Sequence, residues 1–328
     1  MSDNVKAEVL LVGAGYMAVE YAKVLVGLNR KFVTVGRGEE SAKKFEQATG
    51  FYAQRGGLEK FISENDVLPE YAIVAVGASE LSATCELLLN CGVKKILLEK
   101  PGALRVTDFE SLKNSAEKNS AQVSIAYNRR FYSSTRTALK YIAEDGGATS
   151  FQFEFTEWLH LFEKDAYENP EKLEKINLQR IFIGNSSHVL DMAFFICGKP
   201  KEIFCYQAGK TPVKNYNTIF AGAGITYENI PFSYNANWLS PGRWGVEVMT
   251  NRHRFIFRPL EKLQVQNLKS VKTEFADIDD SLDTQYKPGV FLETQAFLEQ
   301  NENFKFLCSF QEQCEMLPVY QKISDYKF

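Results

Sequence analysis

Glu8–Leu25 reads EVLLVGAGYMAVEYAKVL, and this stretch decides the fold of the first part of the chain. Glu8–Val12 is a short apolar run with the character of a strand buried on both faces. It ends at Gly13-Ala14-Gly15-Tyr16-Met17-Ala18, a G-x-G-x-x-A arrangement. Apolar residues then recur at helical spacing from Met17 to Leu28. Strand, glycine turn and helix in that order open a dinucleotide-binding βαβ unit. Gly13 permits the tight turn, Gly15 lets the backbone approach a pyrophosphate, and Ala18 lets the helix pack on the strand. The free N–H groups of the helix start, around Tyr16 and Met17, then meet the phosphates. The alternative is a plain strand-to-helix turn that holds no ligand.

Outward from this motif, short apolar runs alternate with helical patterns. Phe32–Val35, Tyr71–Val76, Lys95–Leu98 and Val123–Ala126 read as strands. Ser41–Thr49, with Ser41 as a candidate N-cap, Ser79–Asn90 and Thr107–Asn119 read as helices. Such alternation predicts a parallel sheet covered on both faces. After about residue 146 the pattern changes. Phe151, Phe153 and Phe155 alternate with Gln152, Glu154 and Thr156, the period of a half-buried strand in an antiparallel sheet. Strand-like runs follow at Lys201–Gln207, Thr218–Tyr227, Phe232–Leu239, Gly245–Thr250, Arg254–Arg258 and Leu263–Leu268, with a turn at Asn251–His253. Helices are expected at Val290–Gln300 and Ser309–Ser324, with Pro318 kinking or breaking the second. The fold class is α/β: a doubly wound Rossmann domain over residues 1–127, then an α+β domain over 128–328.

Composition narrows the function. The chain has 328 residues, 45% hydrophobic and 24% charged, with a net charge of −3. This slight acidity gives no electrostatic case for nucleic acid or an anionic membrane. No stretch approaches a transmembrane span. The start lacks the cationic segment of a signal peptide, so the cytoplasm is the expected location. None of the six cysteines forms C-x-x-C, and they read as buried small hydrophobes in a reducing compartment. Only three histidines occur, His160, His188 and His253, too widely spaced for a His-rich metal cluster. No metal is expected.

The second strand ends at Val35-Gly36-Arg37-Gly38, and no acid follows until Glu39. An NAD site usually carries a carboxylate there for the ribose hydroxyls. Its absence, with Arg37 for a phosphate and Ser41 for a hydroxyl contact, favours NADP over NAD. The alternative is that Arg37 is a solvated loop residue. Gly36, Gly77, Ser79 and Glu99 join the candidate cofactor contacts. Leu97-Leu98 then leads into Glu99-Lys100-Pro101-Gly102, where a lysine beyond a strand's carboxyl end points toward the nicotinamide.

Together these stretches, with Tyr127-Asn128-Arg129-Arg130-Phe131 and Asn185-Ser186-Ser187-His188-Val189-Leu190-Asp191, resemble the Gfo/Idh/MocA oxidoreductases. The motifs follow the family's order along nearly the whole chain. The resemblance implies a Rossmann domain followed by a domain with an open, mostly antiparallel sheet. One face of that sheet often makes the subunit contact, so a homodimer or homotetramer is expected. It implies oxidation of a sugar or nucleotide-sugar hydroxyl, or reduction of the ketone. Lys100 matches the lysine that binds the reacting oxygen, and the Tyr127–Phe131 segment matches one near the site, with Asn128 on the cofactor and Tyr127 and Arg129 on the substrate.

His188 lies on a helix that is apolar nearly all round, with Asp191 on the same face one turn on. The pattern alone fits a structural histidine as well as a catalytic one. The resemblance makes it the catalytic histidine. In many members an aspartate lies four residues earlier, where this chain has Gly184. Asn185 offers a hydrogen bond to substrate but no carboxylate, and Arg180 is a further candidate for selecting substrate. That departure favours a second reading, a catalytically silent dinucleotide-binding sensor, against which Lys100 and His188 stand; a third is a biliverdin reductase-like reductase, which need not use a histidine at that position. His160 reads as structural and His253 as exposed.

Overall fold

The computed structural model describes residues 7–328. Part of the start read as lacking a targeting signal lies outside the described residues. The chain divides into two compact units. One runs to Phe131 and takes back Ser281–Glu315; the other holds Tyr132–Asp280 and Met316–Phe328. A single cut after residue 127 misses that return. Its cause is apolar burial: Val290, Ala296 and Phe297 of the helix Val290–Glu299 share one core with Ala18, Tyr21 and Leu25 of the helix Tyr16–Gly27.

The first unit carries β1 (Val9–Val12), β2 (Phe32–Val35), β3 (Ala53–Gln54), β4 (Tyr71–Val74), β5 (Lys95–Glu99) and β6 (Gln122–Ala126). Their order is β6-β5-β4-β1-β2-β3, all parallel, and a short antiparallel strand, Cys308–Ser309, adds to β6. The chain first builds outward from β1 on one side, then starts again at β4 on the other. Ligands of such sheets bind beyond the carboxyl ends of the strands at that reversal. The reversal falls at β1, whose end carries the glycine motif. The two-residue β3 is too short to leave a periodic signal. The helix after β2 begins at Glu39, so Gly38 takes the N-cap position and Ser41 lies in the first turn. Its hydroxyl donates back to the Gly38 carbonyl at 2.9 Å, which removes the predicted cap.

The second unit carries β7 (Ser150–Glu154), β8 (Pro200–Ala208), β9 (Ile219–Thr226), β10 (Pro231–Asn237), β11 (Gly245–Met249), β12 (His253–Phe257), β13 (Gln264–Asn267) and β14 (Thr273–Phe275). The sheet runs β14-β13-β12-β11-β7-β10-β9-β8. Every neighbouring pair is antiparallel except β7 and β10. Its alternation is that expected from Phe151 and Phe153. Their face is covered by the helix Ser187–Cys197, whose Phe194 ring meets Phe153 at 5.5 Å and Phe232 at 5.3 Å, both edge-on. The opposite face leaves Phe204 and Tyr206 of β8 exposed.

Two expectations change here. The helix Phe310–Ser324 continues unbroken through Pro318. His253 is not an exposed turn residue: it opens β12, its Nδ1 lies 2.7 Å from Asp145 Oδ2, and its ring packs near Tyr141 and Phe255. Asp145 stands 108 residues earlier, so local sequence carries no sign of it. Burial alone would raise the Asp145 carboxyl, but hydrogen bonds from Thr250 and His253 outweigh it and hold it low. Cys85, Cys197 and Cys308 are buried as expected, whereas Cys91 is exposed at a helix end.

Candidate functional site

A cleft of about 450 Å³ opens beyond the ends of β1, β2 and β4. Its floor is backbone. Gly13 has φ +123°, and a Cβ there would stand 2.3 Å from the Ala75 carbonyl oxygen. Only glycine holds that turn without displacing β4's extension. Gly15 caps the following helix in an extended conformation, and a Cβ on it would meet nothing within 4 Å. The open space at Gly15 is where a pyrophosphate would approach the helix N–H groups. Ala18 is fully buried, so the helix lies close on the strand. These residues fit a dinucleotide.

Of the predicted cofactor contacts, Gly13, Gly15, Arg37, Ser41 and Gly77 line this cleft. Gly36 sits behind it, where a Cβ would come within 3.0 Å of the Ala14 Cβ. Tyr16, Met17, Ser79, Glu99, Lys100 and Asn128 are not among its lining residues. Tyr16 is exposed, with the Lys287 ammonium 5.1 Å from its ring centre. Arg37 is largely exposed and pairs with Glu80 at 3.2 Å. An ion pair that exposed is worth at most about 1 kcal/mol, so it holds the guanidinium loosely.

Glu99 closes β5, and its buried carboxylate accepts a 2.8 Å hydrogen bond from the Tyr21 hydroxyl. Burial raises the Glu99 carboxyl, against the pull of the Lys100 charge beside it. The Tyr21 phenol is also raised, chiefly by burial and then by Glu99. The Gly102 N–H returns to the Glu99 carbonyl at 3.0 Å, and buried Gln313 donates to the Pro101 carbonyl at 3.1 Å. Lys100 thus stands half-buried on a turn whose backbone is tied on both sides. Nearby, Tyr127 is fully buried, and the Asn128 amide donates to the Pro288 carbonyl at 2.9 Å. Arg129 donates to Asn128 Oδ1 at 3.3 Å. Arg130 is buried against Glu312 at 3.0 Å, a structural pair.

In the second unit, Gly184, Asn185 and Ser186 lie in a π turn, Phe182–Ser186, that leads straight into the helix of His188. Such widened turns recur at functional sites. His188 and Asp191 are both buried on that helix, and the His188 ring lies 6.2 Å from the Trp244 ring. Arg180 is exposed on a one-turn helix upstream. His160 is exposed beside Trp158 and Tyr167.

The residue that pattern reading missed here is Glu157. It is 1% exposed, accepts from Ser186 Oγ at 2.7 Å and from Trp244 Nε1 at 3.2 Å, and has Arg243 Nη1 at 3.8 Å. Burial pushes its carboxyl up to about 7, in part offset by Ser186, Arg243 and Trp244. The signal was available: the alternation that turns Phe151, Phe153 and Phe155 inward reaches Glu157 two residues later. Among the described residues no group of three or more His, Cys, Asp or Glu is placed to hold a metal ion, and no helix is long and apolar enough to cross a membrane.

Residues 7–127 match the family model described as "Oxidoreductase family, NAD-binding Rossmann fold". The matched stretch is the first unit up to β6, so the likeness to that family rests on the Rossmann part of the chain. A comparison with curated proteins found no match. Among solved structures, a levoglucosan dehydrogenase in complex with NADH is similar, with a TM-score of 0.74 at 15% identity over 96% of this chain and 95% of that one. UDP-N-acetylglucosamine 3-dehydrogenase from Acidithiobacillus ferrooxidans gives 0.72 at 13% identity, over 96% and 95%. An oxidoreductase from Agrobacterium radiobacter, in complex with NAD+, L-tartaric acid and magnesium, gives 0.72 at 12%, over 97% and 94%. At such identities the likeness is one of fold. That likeness covers residues of both units, since each alignment spans 96–97% of this chain.

Proposed function

We propose that this chain is an NADP(H)-dependent oxidoreductase that moves hydride to or from a sugar or nucleotide-sugar, at a hydroxyl or the corresponding ketone. The observation that carries the reading is the glycine cradle at the sheet's reversal, with Arg37 and Ser41 on its wall and no acid at the end of β2. When bound, the cofactor supplies or accepts a hydride at C4 of its nicotinamide. The protein's own residues do the rest. The Gly13–Gly15 turn and the following helix start hold the pyrophosphate, and Arg37 meets the 2′-phosphate by exchanging its weak pair with Glu80. Lys100 donates to the substrate oxygen and stabilises negative charge that develops there. His188 takes the hydroxyl proton during oxidation and returns it during reduction. Tyr127, Arg129, Arg180 and Asn185 are the proposed contributors to substrate selection.

The neighbours named for levoglucosan and for UDP-N-acetylglucosamine support a sugar or nucleotide-sugar as the substrate class. The exposed aromatic residues on the outer face of β8, Phe204 and Tyr206, support a homo-oligomer, a dimer or a tetramer. The test is absorbance at the reduced nicotinamide band with NADPH or NADP and a panel of keto-sugars and nucleotide sugars. Turnover of one panel member, faster with NADP(H) than with NAD(H), is the expected result. Tight NADPH binding with no turnover of any member favours the silent sensor, for which Gly184 in place of a carboxylate is the specific observation.

A further inference from the structure

We infer that Glu157 is a positioning residue that sets the protonation of His188 through Trp244 and the turn Asn185–Ser186. This rests on the reading that His188 exchanges the substrate proton. The argument starts from cost. An almost fully buried carboxylate is expensive to hold, and replacing it by a neutral side chain of the same shape usually leaves stability unchanged or improved. Glu157 nevertheless sits inside, at the end of a run of inward-facing phenylalanines.

Its contacts all lead to one place. Ser186 Oγ, two residues before His188, donates to Oε1 at 2.7 Å, and the Asn185 side chain also hydrogen-bonds to the carboxylate. Trp244 Nε1 donates to the same Oε1, while the Trp244 ring lies 6.2 Å from the His188 ring. Arg243 covers the outer side, with Nη1 3.8 Å from Oε2 and its guanidinium 4.3 Å from the Trp244 ring centre.

Other charged groups near the pair include Asp191 on the helix of His188 and Glu154 on β7, whose carboxylate binds Arg258 at 2.9 Å and the Arg243 backbone N–H at 3.2 Å. Glu157 both touches the turn that leads to His188 and shares Trp244 with it. Its carboxyl, pushed up by burial, changes charge near neutrality, where an imidazole also ordinarily titrates. A negative Glu157 favours the imidazolium; a neutral one favours the imidazole. Each step of the proposed reaction changes the charge on His188, and Glu157 opposes or assists that change.

Glu157→Gln separates charge from architecture, because Ser186 and Trp244 donate to Glu157 and an amide oxygen accepts from both. The measurement is a pH titration of the whole chain by NMR, following the His188 ring and the three tryptophan indole N–H signals. In the wild type the Trp244 indole signal should move through a transition near pH 7. In Glu157→Gln that transition should vanish, and the His188 midpoint should fall by on the order of half a unit or more. Glu157→Asp, which keeps a charge, should bring the midpoint back toward the wild type. An unchanged His188 midpoint in a folded Glu157→Gln chain overturns the inference. If that variant does not fold, the wild-type His188 signals must show a second inflection coinciding with the Trp244 transition; a single inflection overturns it equally. The titration needs no substrate. Failure to turn over any sugar would therefore strike the proposed activity and leave this result to stand or fall alone.

Discussion

The cofactor cleft of the first unit and the surroundings of His188 in the second are built from different materials. The cleft is made of backbone: a glycine at positive φ, an open helix start and the ends of parallel strands, all within a few residues of one motif. The His188 region is made of side chains: Glu157, Ser186, His188 and Trp244 come from a strand extension, a π turn, a helix and the loop before β11. Backbone cradles accept what every dinucleotide shares, whereas side-chain clusters set what is particular to one reaction. Substitution of the glycine backbone should therefore act sterically in the first region, whereas substitution of Glu157 in the second should act by degrees, with pH.

The largest effects test whether both regions serve one reaction. Lys100→Ala and His188→Ala should each lower kcat by about 10²- to 10⁴-fold while leaving NADPH binding near wild type. Near-normal turnover in either variant removes that residue from the chemistry. Next comes the cradle. Gly13→Ala places a Cβ 2.3 Å from the Ala75 oxygen at φ +123°, so it should destabilise the first unit by roughly 2–4 kcal/mol and weaken NADPH binding at least tenfold. Calorimetry with and without NADPH would read both; a wild-type melting point and affinity would mean that the turn relaxes freely.

The third effect belongs to the side-chain region and carries a pH signature. The folded-state value of Glu157 is about 7 against an ordinary 4.5. Below the lower value both folded and unfolded chains hold the proton, and burial exacts no charge penalty. Between the two, the unfolded chain has released it while the folded chain keeps it, so stability falls as pH rises, and above about 7 the full penalty is present. Glu157→Gln should thus gain stability relative to wild type between pH 5 and pH 8, by up to about 3 kcal/mol. Urea melts at the two pH values check this; a difference that does not change with pH means that the carboxylate is solvated. The smallest effect concerns nucleotide choice. Arg37→Ala should reduce the preference for NADPH over NADH by about tenfold, read from the two dissociation constants, and a wild-type ratio would assign the choice to other residues.

Much of the first region was legible because its signals are local. The β1–glycine–helix order, the strand runs and the lack of an acid after β2 can each be read within about ten residues. Element ends were less legible, as at Ser41, where Gly38 captures the cap because it tolerates the extended entry to the helix. The return of Ser281–Glu315 to the first unit was not visible, since an apolar helix does not announce which core it will join. In the second unit the period of two correctly turned Phe151 and Phe153 inward, yet it was not followed on to Glu157. The partners of His253 and Glu157, Asp145 and Trp244, lie 108 and 87 positions away.

By itself the amino-acid sequence determined the fold class, the sheet that carries the cofactor cleft and the places of Lys100 and His188, because glycine conformation and hydrophobic period act between near neighbours. Asp191 could be placed beside His188 from sequence, but only the tertiary structure brought Glu157 to the turn that leads into that helix. Gly184 sits in the turn, where a Cβ would meet open space, and Glu157, from another element, binds Ser186 of that same turn. The physical reason is desolvation: the Glu157 carboxyl acquires its raised pKa from burial, against the lowering by Ser186, Arg243 and Trp244, and no linear pattern contains that burial.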